Sequence, residues 1–399
     1  MYCRTLKPLL IVVLLILFGS CEKLQPEAPP DNSILDGVLT ELSLLEQTRH
    51  LKGDQSFNDK HFHAANGLGP GFVATSCGSC HAGDGKGHPF STLTRFGQAD
   101  SNGNTWLEKG GPQLQHRVLP GYQPEQLPSG APFAKLIPPA VTGLGLLEAI
   151  ADETLLMFAD PFDLNSDGIS GRPHWNTVPA YVQIRAGAIA SHDRYIGRFG
   201  HKAAVYSLLQ QTLGAYNQDM GITSLQEPSD PYTGQKNDPE ISQNEINDVV
   251  FYLQTLKAPM PRNIHDPEVI KGRQLFNQIN CTGCHLPELK TALSPINALS
   301  NKTIYPFTDL LLHDMGPDLD DGYTEGFATS AEWRTTPLWG LGLASQSQGG
   351  KVYLLHDGRA SSIDQAIRLH GGEASNSRNG YLKLTGQERK ALIRFLESL

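Results

Sequence analysis

The sequence is poor in cysteine, in long apolar runs and in basic residues. Only six cysteines occur among its 399 residues. The apolar run Leu9–Phe18 has ten residues, about half of the ~20 that a membrane-spanning helix needs. Lys and Arg number 32 against 41 Asp and Glu, a formal charge of −9. This acidic balance argues against a nucleic-acid partner, because phosphates require a basic face.

The run Leu9–Phe18 has the features of an export signal. Arg4 and Lys7 precede it and Gly19-Ser20-Cys21 follows it, which is the order of basic residues, short apolar core and small residues before a cleavage point. We therefore predict a signal peptide over residues 1–20. Its end resembles a bacterial lipoprotein signal, with Cys21 as the lipidated first residue. The alternative is an ordinary signal peptide in which Cys21 is incidental.

The lipoprotein interpretation predicts the location of the protein. Residues 21–55 would form a lipid-anchored tether and N-terminal segment, because Lys23–Ser33 is rich in proline and has no apolar period. The protein would be a membrane-anchored lipoprotein on the periplasmic side of a Gram-negative cell envelope. Cys3 would leave with the signal peptide, so no cysteine remains for structural disulfides.

The other four cysteines form two copies of one motif. Cys77–His81 reads Cys-Gly-Ser-Cys-His, and Cys281–His285 reads Cys-Thr-Gly-Cys-His. C-x-x-C-H is the attachment signal of c-type haem, in which two thiols bond the vinyl groups and the histidine ligates the iron. A zinc site or a thioredoxin-like redox pair is the alternative. The sequence therefore predicts two covalently bound haems c, held by Cys77, Cys80, His81, Cys281, Cys284 and His285.

Two capped helices indicate how the chain is divided. Ser242 and Thr385 each begin a capping box followed by an apolar helical stripe, and each follows one C-x-x-C-H motif. Pro259 stops the first helix. We predict a mainly α fold of two cytochrome c-like domains with long ordered loops, one at 56–262 carrying haem one and one at 263–399 carrying haem two. Strand signals are sparse, with no extended alternation of apolar and polar residues.

Several sequence blocks resemble a known superfamily. Trp333–Gly340 and Leu355–Arg359 look like the C-terminal half of bacterial dihaem cytochrome c peroxidases and the related MauG enzymes. The DUF1111 group, described as dihaem oxidoreductases or peroxidases and also as predicted thiol oxidoreductases, is more similar. Its blocks are Gly143–Ala149, Gly197–Gly200, Asp219–Ser224 and Leu311–Gly316. The resemblance extends from about Phe57 to the C-terminus and implies a catalytic haem one and an electron-transfer haem two.

The resemblance also implies a ligand for the second iron. In the peroxidases a methionine, and in MauG a tyrosine, lies fourteen residues beyond the histidine of the His-Asp-Gly motif. Counted from His356, that position is His370, so we predict that His285 and His370 both ligate haem two. Bis-histidine ligation would lower its potential, because methionine ligation raises it. The alternative is that His370 is an exposed helix residue. His356 and His313 are predicted to contact haem, His313 through a propionate, with Met315 as a rival iron ligand.

For haem one the resemblance points to an acid and an amide. The peroxidases keep a glutamine and an acid near the distal face, and Gln211 and Asp219 occur here in comparable order. Cleavage of a peroxide moves a proton from one oxygen to the other, which suits a positioned carboxylate. The alternative is that Asp219 only binds backbone amides at a helix end.

The superfamily places a tryptophan between its haems as an electron relay. Here His201 occupies that position. Histidine is a poorer hole carrier than indole, so Trp175, Trp333 and Trp339 are candidate substitutes.

Asp163–Gly168 matches the opening of a calcium loop, with Asp163, Asn165 and Asp167 as predicted oxygen ligands. The twelfth position is His174 and not glutamate, so an Asx-rich turn without metal is the alternative.

Together these features predict a dihaem c-type oxidoreductase that is peroxidase-like, with one open catalytic haem and one six-coordinate electron-transfer haem. Expected partners are peroxide, a small electron-donor protein (a cytochrome or cupredoxin) or a protein substrate, and the membrane through Cys21. The alternatives are a non-enzymatic dihaem electron-transfer cytochrome and a MauG-like oxidase of a partner protein.

Overall fold

The two helices that the sequence predicted both begin at side-chain caps. In a computed structural model that describes residues 30–97 and 105–399, Thr385 and Glu388 form the complete capping box that we predicted. Ser242 also caps its helix by accepting from the Glu245 amide. The Glu245 carboxylate does not close that box, because it pairs with Lys60 at 2.6 Å. The predicted signal peptide, Cys21 and most of the tether lie outside the described residues.

Ten α-helices occur in the described part of the chain. They are α1 Leu44–Asp54, α2 Leu144–Glu148, α3 Asp152–Leu156, α4 Leu208–Gly214, α5 Gln243–Thr255, α6 Pro267–Gln278, α7 Ala344–Ser347, α8 Ile363–Leu369, α9 Ser375–Lys383 and α10 Gly386–Glu397. Short π-helical segments continue α1 and α4, at Gln55–Asp59 and Ala215–Asp219. None of the helices within 30–97 and 105–399 combines the length and the apolar character that spanning a bilayer would take.

Short antiparallel strands join the helices. They are β1 Gly71–Phe72, β2 Leu93–Phe96, β3 Arg117–Val118, β4 Phe133–Leu136, β5 Trp175–Asn176, β6 Ala190–Ser191, β7 Arg194–Ile196, β8 Leu289–Lys290, β9 Thr303–Ile304, β10 Leu312–Asp314 and β11 Glu332–Arg334. The pairs are β1–β3, β2–β4, β8–β9 and β10–β11, and β7 lies between β5 and β6. In the register of β10 and β11, His313 faces Trp333.

The prediction of a mainly α fold is therefore only partly right. The structure is 35% helical with 12% strand, which makes it mixed. Each strand has two to four residues, too few for an alternating pattern to be visible in the sequence. The pairing register of such short strands is set by the loops on either side of them.

Each half of the chain contains one helix pair that crosses at a glycine. In the N-terminal half α1 packs on α5, and a Cβ added to Gly53 would lie 2.1 Å from the Asp248 carbonyl oxygen. In the C-terminal half α6 packs on α10, and a Cβ on Gly272 would lie 2.1 Å from the Ala391 oxygen. Backbones can approach this closely only where no Cβ intervenes. The two halves thus repeat one helix arrangement, whereas the predicted domain boundaries stay a prediction.

Gly272→Ala is expected to destabilise the protein by about 1–3 kcal/mol, because the new methyl group forces α6 and α10 apart. Urea unfolding of the holoprotein, followed by circular dichroism, measures the change. Gly386→Ala is the matched control: Gly386 lies in α10 with no atom within 4 Å of the added Cβ. That variant should be neutral or more stable by up to about 1 kcal/mol. Equal stability of both variants would contradict a close crossing.

A shared apolar core connects the two halves. One hydrophobic cluster includes Leu147 and Phe251 from the N-terminal half together with Leu299, Leu310 and Trp339 from the C-terminal half. Burial of such side chains is the main contribution to stability. The core therefore fixes the two C-x-x-C-H motifs relative to each other.

Candidate functional site

A continuous cavity of about 600 Å³ extends between the two halves of the molecule. Both predicted haem-attachment motifs line it, Cys77–His81 at one end and Cys281–His285 at the other. Six histidines line it in all, namely His81, His201, His285, His313, His356 and His370. The structure thus brings both motifs and all the histidines of the predicted site to one cavity.

The two motif histidines are oriented in the same way. His81 Nδ1 is 2.9 Å from the Pro139 carbonyl oxygen, and His285 Nδ1 is 2.9 Å from the Phe307 oxygen. A histidine that donates through Nδ1 presents Nε2 as a free ligand atom, the arrangement typical of metal ligands. Burial lowers the pKa of both imidazoles to about 4. Both rings are therefore neutral, as ligation requires.

His370 has the same orientation as the motif histidines. It caps α8, and its Nδ1 is 2.7 Å from the Ala366 carbonyl oxygen, which leaves Nε2 free. The ring lines the cavity, so it is not the exposed helix residue of the alternative interpretation. It is also close to His285: besides burial, the charge of His370 lowers the pKa of His285. Two histidines with a free Nε2 thus lie near the second motif.

The Nε2 atoms of His201 and His356 are engaged elsewhere. His201 Nε2 is 2.8 Å from the Ile137 carbonyl oxygen, and burial lowers the pKa of this ring to about 3. His356 Nε2 is 2.7 Å from a carboxylate oxygen of Asp321. The His356 ring stacks on Trp333 at 3.7 Å between centroids with planes 6° apart. Both residues therefore belong to the wall between the two motifs.

His313 has different partners from the predicted propionate. Its Nε2 is 2.9 Å from Asp309 Oδ2, and its Nδ1 is 2.7 Å from Glu373 Oε2. Burial opposes the charge of this ring, but Asp309 raises the pKa of His313 well above its usual value. Glu373 also accepts from the Ser170 amide and hydroxyl. Both ring nitrogens are thus held by carboxylates in an ion-paired network beside Cys284, whose Sγ is 3.5 Å from Nδ1, and the propionate contact stays a prediction.

The motif cysteines do not have the environment of reactive thiols. Burial raises the pKa of Cys77 and Cys281 to about 12 and of Cys80 to about 11. Redox-active cysteines have a lowered pKa instead. Across 30–97 and 105–399 no disulfide and no cluster of three or more potential metal-ligating His, Cys, Asp or Glu is present. The raised pKa values of the thiols disfavour the thioredoxin-like alternative.

The predicted acid Asp219 lies in the cavity near the first motif. It ends the π-helical segment that continues α4, and its carbonyl oxygen accepts from the amides of Val73 and Ala74 at 2.7 and 2.9 Å. Gln113 Nε2 donates to Asp219 Oδ1 at 2.6 Å. Burial raises the pKa of Asp219 to about 6. The carboxyl is therefore held by a side chain and not by the backbone amides of the alternative, and it can change charge near neutral pH.

Gln113 and Arg95 are site residues that the sequence did not reveal. Arg95, on β2, donates to the Gln218 side chain at 3.1 Å and pairs with Glu325 at 2.8 Å. After burial and the Gln113 hydrogen bond, its charge is the next influence on the pKa of Asp219. Neither residue is close in sequence to a motif, so no local signal pointed to them.

The predicted amide Gln211 lies on α4 and also lines the cavity. The side chain of its neighbour Gln210 is occupied, because it accepts from the Tyr206 amide at 3.0 Å. Within the described part of the chain, no hydrogen bond of the Gln211 side chain occurs. Gln211 thus stays available to a molecule in the cavity.

Two cations, the buried Arg334 and the half-buried Lys86, line the cavity and form no ion pair with a carboxylate among the described residues. Lys86 donates to the Leu355 carbonyl oxygen at 2.8 Å, and Arg334 donates to the Gly200 oxygen at 2.9 Å. Burial lowers the pKa of Lys86 to about 8 and that of Arg334 to about 10. An uncompensated buried cation is costly unless an anion joins it. The cavity therefore suits an apolar group that carries carboxylates, which fits a haem and its propionates.

Of the three candidate relay tryptophans, Trp333 and Trp339 line the cavity, whereas Trp175 lies outside its lining. The Trp333 indole donates to the Leu319 carbonyl oxygen at 2.8 Å. The ammonium of Lys202 lies 3.8 Å from its ring centroid. A cation over the ring disfavours loss of an electron from the indole. Lys202 was not predicted as a site residue.

The calcium-like loop is closed by its own hydrogen bonds. Asp163 accepts from the Gly168 amide at 3.1 Å, and Asn165 Oδ1 accepts from the Asp167 amide at 2.9 Å. Asp167 Oδ1 accepts from the Ile169 amide at 2.8 Å. This is the Asx-rich turn of the alternative interpretation, and the calcium site stays a prediction.

Comparisons with known proteins identify the family of the chain. The family model described as "Di-haem oxidoreductase, putative peroxidase" matches residues 134–399. A hydrazine synthase structure from Kuenenia stuttgartiensis, pressurised with xenon, is 13% identical with a TM-score of 0.41, over 94% of each chain. A MauG-like protein associated with microbial copper homeostasis is 14% identical with a TM-score of 0.42, also over 94% of each chain. No curated protein matches the chain. The family match spans more than half of the sequence and confirms the resemblance, so the chain belongs to the di-haem oxidoreductase family.

Proposed function

We propose that this di-haem oxidoreductase is a peroxidase-like enzyme with two covalently bound haems c that have different roles. Haem one, on Cys77 and Cys80, is the open haem at which peroxide reacts. Haem two, on Cys281 and Cys284, is six-coordinate and transfers electrons.

The proposal rests on the uneven distribution of free histidine Nε2 atoms between the first and the second C-x-x-C-H motif. Of the six cavity histidines, His81, His285 and His370 direct Nδ1 to a backbone carbonyl and leave Nε2 free. Two of the three lie at the second motif. At the first motif His81 has, among the described residues, no second cavity histidine with a free Nε2, because the Nε2 atoms of His201, His313 and His356 are engaged. This arrangement supports one closed and one open iron.

A bound haem would supply an iron that accepts and donates single electrons and binds small oxygen species. The thiols of each motif would hold it covalently, and Lys86 and Arg334 would bind propionates from the cavity wall. The charge-assisted hydrogen bonds of such pairs are about twice as strong as neutral ones. They would also offset the cost of burying the Arg334 guanidinium.

Asp219 would move the proton that peroxide cleavage requires. Gln113 fixes Oδ1, and Oδ2 has no hydrogen-bond partner in the described part of the chain. With a pKa of about 6, the carboxyl can accept a proton from one peroxide oxygen and return it to the leaving oxygen as water forms. Gln211 would orient the peroxide by hydrogen bonding.

The cellular setting is part of the same proposal. A lipid anchor at Cys21 would place the enzyme on the periplasmic side of the envelope. Electrons would come from a small cytochrome or cupredoxin. The acidic composition of the chain is compatible with a basic carrier.

Absorption and EPR spectra of the holoprotein test the proposal. The oxidised and the half-reduced protein are each mixed with hydrogen peroxide, cyanide and CO. We expect one low-spin haem that no reagent alters and one haem that responds to them in at least one redox state. If both haems stay unchanged in every state, the protein is the electron-transfer cytochrome of the alternative and not a peroxidase.

A further inference from the structure

The segment from Glu153 to Ser170 presents an apolar surface to solvent. Met157, Phe158, Phe162 and Leu164 are 73%, 42%, 84% and 82% exposed. Soluble proteins rarely expose several large apolar side chains in one place unless the surface binds something. We name this surface, formed by these four side chains, the apolar patch.

Acidic residues accompany the apolar patch. Glu153 and Asp167 are exposed, and Asp160 and Asp163 are partly exposed. The segment 153–171 contains no Lys or Arg, and in the described part of the chain none of the four carboxylates forms an ion pair. Even a bound Ca²⁺ would leave these carboxylates with a net negative charge. A partner with basic residues around an apolar face would complement this surface.

The apolar patch is connected to the second haem-attachment motif. Ile169, near the end of the same segment, lines the cavity and lies against Gly283 inside that motif. The Ser170 hydroxyl donates to Glu373 at 2.5 Å, and Glu373 binds His313 at 2.7 Å. The neighbouring Cys284 Sγ is 3.5 Å from His313. Contacts and hydrogen bonds thus lead from the surface to the attachment site of haem two.

We propose that the apolar patch and its carboxylates dock a small, lysine-rimmed electron-carrier protein that exchanges one electron with haem two. The assignment rests on the proposed function for the role of haem two. One electron passes between the carrier and haem two, so that one iron or copper centre is oxidised as the other is reduced; no proton or bond is transferred. Apolar contact brings the redox centres close together, and the charges speed the encounter.

Stopped-flow electron transfer without peroxide tests the docking. The probe is mitochondrial-type cytochrome c, which is small and lysine-rich, and its succinylated form carries the opposite charge. A bis-histidine haem has a lower potential than a His–Met haem. Electron transfer is therefore measured in the thermodynamically favourable direction, from the reduced holoprotein to the ferric probe. Phe162→Ser/Leu164→Ser is expected to lower the second-order rate constant about tenfold. Raising the ionic strength should slow the wild-type reaction.

Two further variants keep the test decisive. Phe90→Ser removes an equally exposed apolar side chain (97%) outside the patch and should leave the rate constant unchanged. Glu153→Lys, at an exposed position, should slow the lysine-rich probe and speed the succinylated one. Haem spectra and thermal unfolding identify any variant that fails to fold.

An unchanged rate constant in both patch variants would overturn the proposal. A wild-type reaction that becomes faster at high salt would also overturn it. So would patch variants that change from dimer to monomer in sedimentation while their rate constant is unaffected, because the patch would then be an interface between copies of the chain. Because no peroxide is present, failure here is distinct from failure of the peroxidase assignment.

Discussion

Replacement of Asp219 by asparagine is expected to slow the reaction of the holoprotein with hydrogen peroxide by about 100- to 10,000-fold, the usual contribution of a positioned acid–base group. Asparagine has nearly the same shape but cannot accept a proton at the position of Oδ2. Haem attachment and spectra before peroxide is added should be unchanged. Stopped-flow absorption at excess peroxide measures the loss.

The pH profile distinguishes a proton-transfer role from a structural one. Asp219 must be ionised to accept a proton, and burial raises its pKa to about 6. The wild-type rate constant should therefore fall as the pH drops below about 6 and level off above it. Asp219→Asn should lose this dependence. Gln113→Leu removes a hydrogen bond that lowers the pKa, so its midpoint should move upward.

Asp238→Asn is a suitable control for Asp219→Asn, since it makes the same charge change at an exposed position. Its rate constant and pH midpoint should match the wild type. A wild-type midpoint that persists in Asp219→Asn would mean that another group supplies the proton.

The sequence indicated the two C-x-x-C-H motifs more clearly than the residues around them. The C-x-x-C-H spacing identified residues that the structure brings to one cavity, because the chemistry of attachment fixes their order along the chain. The caps at Ser242 and Thr385 were visible because the capping signal is local. Gln113 and Arg95 reach Asp219 only through the packing of β2 and the loop after it. No single segment contains that information.

The features that the sequence did not reveal have the same origin. Glu373 reaches His313 from sixty residues away in the sequence, so no local pattern indicated this contact. The strands were missed because they are held by loops rather than by their own pattern. His370 came from the spacing seen in relatives, and the Nδ1 bond to Ala366 is information that only the structure supplies.

His370→Ala is expected to convert haem two from a low-spin to a high-spin or ligand-accessible state and to raise its midpoint potential by on the order of 100 mV. Loss of the imidazole opens one axial position, so CO should bind two haems per chain instead of one. His370→Met should keep the low-spin state and still raise the potential, because a thioether favours the ferrous iron. EPR of the oxidised protein and a spectroelectrochemical titration measure both changes.

His201→Ala is the control for this ligand assignment, because His201 lines the same cavity but its Nε2 lies 2.8 Å from the Ile137 carbonyl oxygen. It should leave the low-spin signal of haem two in place. An unchanged low-spin signal in His370→Ala would instead show that another side chain, such as Met315 in the cavity wall, closes the second iron. In that case the asymmetry between the irons would need a different structural cause. A new high-spin signal in His370→Ala would instead show that the asymmetry comes from the free Nε2 of His370 at the end of α8.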